Sequence, residues 1–144
     1  MLYIDTSSLL KMLLPEPETE AVQATVAVED VVVLSVLTEL ETEVQLRAAW
    51  LGDSLTRARH RRLTERVRIL TQQEPFEVRP LSGTLFQTAL RQHRDRERPH
   101  VRTLDRLHLA AMEELGLRRL LTHDIAQAEA AQAIGYAVLS PASR

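Results

Sequence analysis

The sequence predicts an α/β fold built on a central, mainly parallel sheet of four to five strands. Two observations carry that prediction. Short β-branched or apolar runs alternate with longer segments of helical period, which is the pattern of a parallel sheet covered by helices. The punctuating residues Pro15, Pro17, Gly52, Gly116 and Gly135 fall at the edges of those segments. No internal repeat, low-complexity tract or linker interrupts the pattern, so residues 1–144 read as one domain. A chain of this length buries roughly two thirds of its unfolded surface in a single core.

The strands are expected at residues 2–5, 31–34, 76–79, 118–122 and 136–139. Between them, helices are expected at 6–14, 17–29, 36–51, 54–72, 82–97, 103–116 and 124–134. Pro15 and Pro17 separate the first two helices, because proline is tolerated at a helix start and not inside one. Gly52, Gly116 and Gly135 sit just past helix ends, where a left-handed residue is wanted. The charged run from Arg94 to His100, containing Pro99, reads as the one substantial loop.

Composition narrows the chemistry. Cysteine is absent, so neither disulfides nor thiolate metal sites are available, and carboxylates and five histidines remain as ligands. Such a donor set favours a hard cation over zinc. No basic and apolar leader opens the chain and no apolar run approaches the ~20 residues of a membrane span, so a soluble, cytoplasmic protein without membrane association is expected. The net charge is -2, so a nucleic-acid role must rest on a local basic surface.

Four acids stand at element boundaries: Asp5 after the first strand, Glu41 in the third helix, Asp105 in the helix before the fourth strand, and Asp124 after that strand. Ligands of open α/β folds bind outside the carboxyl ends of the strands. Each aspartate taken alone is a good helix cap; their joint placement is what points to a shared site. The glutamate is chosen from Glu39, Glu41 and Glu43 by helical geometry. If Leu37, Leu40, Val44, Ala48 and Leu51 form the buried stripe, Glu41 lies nearest its border, although its two neighbours keep that assignment open.

Asp105 and His108 are three apart and share a helical face, so His108 either supports the site or is a hydrogen-bonded core residue. Thr122 and Asp124 point the same way if the strand period continues, which lets Thr122 hold a carboxylate. His123 then points elsewhere. Thr6 and Ser7 are hydroxyls at a helix start that can orient a phosphate or a carboxylate.

The run Asp5, Thr6, Ser7, Ser8 with Lys11, the stretch from Ser35 to Glu41, the run from Asp105 to Ala110, and Thr122, His123, Asp124 before Gly135 together resemble the PIN-domain ribonucleases. Within that family they resemble the VapC toxins of bacterial toxin-antitoxin pairs. The resemblance runs through the whole chain and implies a three-layer α/β/α PIN-like fold. It also implies a Mg²⁺- or Mn²⁺-dependent endoribonuclease with Asp5, Glu41, Asp105 and Asp124 at the catalytic metal site. A small VapB-like antitoxin partner and a homodimer are implied as well.

Physical chemistry fits that activity. Four ionised carboxylates close together repel one another, and a divalent ion relieves the repulsion. Mg²⁺ takes one or two carboxylates directly and keeps several waters, so metal-activated water can attack a phosphodiester in line. Asp5 and Asp105 would be the central ligands, with Glu41 and Asp124 completing the site directly or through water. An RNA substrate also needs a basic rim, for which Arg98, Arg102 and Arg106 are candidates, whereas Arg57, Arg61 and Arg68 read as a solvated outer helix face. The apolar early helices, with Leu9, Leu10, Leu13, Leu14 and Val22, serve either the core or a dimer contact. Two rival functions are a catalytically silent protein-binding module of the same fold and a phospho-acceptor signalling domain. The latter needs a phosphorylatable aspartate on a central strand, where residues 76–79 offer Glu77 and Arg79 instead.

Overall fold

A computed structural model describes residues 1–142; the last two residues of the expected 1–144 domain lie outside that range. The strands are β1 (Leu2–Ile4), β2 (Val32–Ser35), β3 (Phe76–Arg79), β4 (Arg119–Leu121) and β5 (Ala137–Leu139). They form one sheet in the order β3-β2-β1-β4-β5, and every pairing is parallel. The helices are α1 (Thr6–Leu13), α2 (Thr19–Ala27), α3 (Val36–Leu51), α4 (Arg57–Leu70), α5 (Leu85–Arg94), α6 (Thr103–Glu114) and α7 (Ile125–Ala133). Each of the expected elements is present, with ends trimmed by the local caps. For example, α4 starts at Arg57 because the Thr56 hydroxyl accepts from the Arg59 amide.

Strand alternation sorts the core into two faces. Leu2, Ile4, Val32, Leu34 and Leu121 face Leu9, Met12, Leu13, Val22 and Val26 of the first two helices, with Leu46, Leu63 and Val67 from α3 and α4. Tyr3, Val33 and Leu120 face the opposite way, onto Leu109 and Met112 of α6 and Ala130 and Ala131 of α7. A smaller cluster of Leu85, Ala89, Leu107, Ala110 and Ala111 joins α5 to α6, with Leu37 of α3 against it. The result is a three-layer α/β/α arrangement. Because β1 is central and the chain adds strands first on one side and then on the other, the order reverses between β1 and β4. Ligand crevices of open parallel sheets form at such a point.

Of the two uses left open for the early apolar residues, the structure shows the core: Leu9, Leu13 and Val22 are buried, and Leu10 and Leu14 pack on the same core. Two expectations are corrected. The stripe drawn on α3 is wrong: Leu40, Val44 and Leu51 are 62, 58 and 66% exposed. The buried face runs instead through Thr38, Thr42 and Leu46. Threonine can face inward because its hydroxyl finds backbone carbonyls, Thr38 donating to Ile4 and Thr42 to Thr38. Finally, Gly52 has a φ of -91° and the left-handed residue after α3 is Asp53, at 60°, whereas Gly116 and Gly135 do adopt positive φ.

Leu34 is fully buried in a central strand, so Leu34→Ala should destabilise the protein by about 2–5 kcal/mol in a urea unfolding curve. A loss below about 1 kcal/mol would show that this face of the sheet is not the close-packed core described.

Candidate active site

At the carboxyl edge of the sheet lies a pocket of about 540 Å³ lined by Asp5, Thr6, Ser7, Glu41, Gln45, Arg102, Asp105, His108 and Asp124, among others. All four acids expected from the sequence therefore line one pocket. Each reaches it by a different local device.

Asp5 follows β1, and its backbone amide extends the ladder to the carbonyl of Leu121 at 3.2 Å, which fixes it beside the end of β4. One carboxylate oxygen caps α1 by accepting from the Ser8 amide (3.1 Å) and also accepts from the Ser7 hydroxyl (2.7 Å). The other accepts from the Thr122 hydroxyl at 2.5 Å. Burial still pushes the Asp5 carboxyl above the usual carboxylate range, against the opposing effect of those hydrogen bonds.

Asp124 caps α7 by accepting from the Gln127 amide at 3.0 Å. Its own amide donates to the Thr122 hydroxyl at 3.0 Å, so Thr122 ties together the two acids that flank β1 and β4. Asp105 sits buried in the first turn of α6. Arg102, at the start of that helix, donates from Nε to Asp105 at 2.9 Å and from Nη2 to Asp124 at 2.5 Å.

Glu41 is held by His108, whose Nε2 lies 2.5 Å from its carboxylate. An ionised carboxylate only accepts, so Nε2 carries the hydrogen. The other ring nitrogen, Nδ1, is 2.8 Å from the hydroxyl of Tyr3, which also meets Ser35 at 2.7 Å. Burial pushes the Tyr3 phenol up, so it stays neutral at any ordinary pH. His108 is thus both of the things the sequence left open: a buried, doubly bonded histidine and the direct support of a site acid. Gln45, one turn after Glu41, lines the pocket on the same helix face.

Other candidates fall outside. His123 meets Ser8 through Nδ1 and the Pro141 carbonyl through Nε2, both at 2.8 Å, and Lys11 pairs with Glu16 and Glu18. Two of the three rim arginines are corrected. Arg106 is 5% exposed and donates to the Pro99 carbonyl at 2.6 Å; one residue on from Asp105, it lies about 100° round α6 and cannot share its face. Arg98 pairs with Asp95 and Glu113 instead. Tyr3 was not anticipated. The available signal was that a tyrosine inside a core strand must find a partner for its hydroxyl, and partners of that kind mark a polar site.

Among the described residues, no three of His, Asp and Glu stand close enough to ligate one ion together. That arrangement still suits Mg²⁺ or Mn²⁺, which can take one or two carboxylates directly and reach the rest through water. Two observations support the fit. Arg102 already places a positive charge between Asp105 and Asp124. The buried hydroxyl oxygen of Thr6, on the pocket wall beside Asp5, has no hydrogen-bond partner, and buried polar atoms rarely go without one.

A PIN domain model matches residues 2–133. Ribonuclease VapC46 of Mycobacterium tuberculosis is 30% identical over 142 residues, which cover 97% of each chain. Among solved structures, M. tuberculosis VapC20, a toxin that cleaves the sarcin-ricin loop, matches with a TM-score of 0.72 at 18% identity over 98% of this chain and 100% of that one. A toxin-antitoxin complex from Klebsiella pneumoniae matches with a TM-score of 0.68 at 16% identity, covering both chains fully. The protein belongs to the PIN-domain family.

Asp5→Asn keeps the cap and removes a buried charge. Because burial raises the folded-state pKa above the unfolded value, the charged form weakens the fold at neutral pH, and that penalty disappears as pH falls toward about 4. In metal-free buffer, Asp5→Asn should therefore melt at the same temperature as wild type or higher at pH 7, with the advantage shrinking toward pH 4. A lower melting temperature at pH 7 would contradict this reading.

Proposed function

We propose that this protein is a VapC-type toxin, an endoribonuclease that hydrolyses RNA phosphodiesters with Mg²⁺ or Mn²⁺. The observation that carries the proposal is the convergence of Asp5, Glu41, Asp105 and Asp124 on one pocket at the switch point of a parallel sheet. It is strengthened by kinship, along nearly the full chain, with a ribonuclease. The catalytic unit is a single domain over residues 1–144.

Asp5 and Asp105, the two most buried of these acids, would hold the ion directly, and Glu41 and Asp124 would reach it through water. A bound divalent ion supplies a nucleophile from water at neutral pH and neutralises charge on the phosphate. The chain's own work is orientation. Thr122 and Ser7 fix both oxygens of Asp5, the amide at the start of α7 fixes Asp124, and His108 braced by Tyr3 fixes Glu41. Supports of this kind raise ligand basicity and hold geometry, and their removal typically costs about 10–100-fold in affinity or activity.

No helix among the described residues is long and apolar enough to cross a membrane, in keeping with action in the cytoplasm. Such a toxin needs restraint, and we assign it a small VapB-like antitoxin. The toxin-antitoxin complex among its structural neighbours supports that assignment. A homodimer is supported by the exposed apolar residues Val36, Leu40 and Val44 on α3, Phe86 and Leu90 on α5 and Leu104 on α6, since these three helices meet at the small cluster around Leu107. The phospho-acceptor reading finds no support in residues 76–79: β3 lies at the edge of the sheet rather than at its centre as that reading needed, and its exposed Glu77 is paired with the half-buried Arg79.

Purified protein should cut RNA in Mg²⁺ or Mn²⁺ and stop in EDTA. Asp5→Asn and Asp105→Asn should abolish cleavage, and Thr122→Val should slow it by about 10–100-fold. Cleavage that persists in EDTA, or wild-type rates in both aspartate variants, would refute the assignment. Failure to cut any RNA under these conditions would favour the silent protein-binding module.

A further inference from the structure

Arg102 is placed where helix energetics do not want it. It stands at the N-cap of α6 and makes no side-chain capping bond. Arginine has no acceptor to offer the free amides there, and its charge meets the positive end of the helix dipole. What it reaches instead is the pocket. Its guanidinium donates from Nε to Asp105 at 2.9 Å and from Nη2 to Asp105 at 3.4 Å and Asp124 at 2.5 Å. An ordinary pairing within one helix turn explains the Asp105 contacts. It does not explain Asp124, which is 22 residues further along and belongs to another helix.

We propose that Arg102 is a built-in placeholder for the divalent cation, released when the ion loads and then free to grip a phosphate of the RNA. This rests on reading the pocket as a divalent-ion site. In the ion-free protein, the guanidinium offsets the repulsion between Asp105 and Asp124. The same oxygens cannot serve the guanidinium and an ion equally well, so the two cations compete. Arg102 is able to yield, because its side chain is 72% exposed, and exposed ion pairs hold weakly. Once released, it remains anchored at the pocket rim, with a planar fork that matches two phosphate oxygens. Arg98 and Arg106 are tied down elsewhere, which leaves Arg102 as the arginine lining this pocket. Loading the ion would thus also arm the substrate contact.

The placeholder role and the phosphate-gripping role push Arg102→Gln in opposite directions, and a merely structural residue would not do that. Mn²⁺ alone, titrated calorimetrically into the purified protein, should bind Arg102→Gln about fivefold more tightly than wild type, the scale of losing a weak exposed competitor. At saturating Mn²⁺ the same variant should cleave RNA with kcat/KM lower by about tenfold or more. Arg102→Lys should recover part of that loss but not the forked contact. Mn²⁺ affinity that is unchanged or weaker in Arg102→Gln, or undiminished cleavage at saturating Mn²⁺, overturns the proposal. If neither wild type nor Arg102→Gln binds Mn²⁺, or Asp5→Asn binds it as well as wild type, the metal-site reading itself falls and the proposal falls with it.

Discussion

Holding four carboxylates in one pocket at the carboxyl edge of a parallel sheet is the constraint around which this molecule is arranged. Each acid is held by something specific. Asp5 is gripped by two hydroxyls and an amide, Asp124 by the start of α7, and Glu41 by a histidine braced from the floor of the sheet. Asp105 and Asp124 share one guanidinium. The supports of Asp5, Asp124 and Glu41 are hydrogen bonds from strands, helices and the residues at their ends, which preorganises those three acids, whereas Arg102 is exposed and able to yield.

The strand-to-site relation explains why Tyr3 and Thr122 matter as much as the acids. Tyr3 is fully buried on the α6–α7 face of β1, and from there its hydroxyl reaches Ser35 and His108 together. A residue of the hydrophobic core therefore transmits the position of the sheet to an acid on α3. Thr122, immediately past β4, plays the same part between Asp5 and Asp124. Packing and chemistry are coupled through these two hydroxyls.

Much of this was legible in the sequence, for identifiable reasons. The inner strands β1 and β2 are short apolar runs, and the three aspartates sit at or near helix starts, Asp5 and Asp124 as caps that follow strands and Asp105 in the first turn of α6. What the sequence concealed was direction. On α3, apolar residues at Leu40 and Val44 suggested an inward stripe, yet Thr38 and Thr42 face the sheet because carbonyls were available to take their hydroxyls. Glu41 was chosen from that mistaken stripe and lines the pocket all the same. The run of arginines around Asp105 read as one basic rim, whereas a single residue of offset turned Arg106 onto the Pro99 carbonyl. Such outcomes depend on which partner lies opposite, and a linear pattern does not contain that information. Arg57, Arg61 and Arg68 of α4 lie exposed, as expected of a solvated outer face.

The most direct test of the account is a crystal of the protein grown with Mn²⁺ and measured for anomalous scattering. An anomalous peak is expected inside the pocket, in contact with Asp5 and Asp105, with Glu41 and Asp124 joined to it through water. A pocket with no peak while Mn²⁺ binds elsewhere on the surface would contradict it.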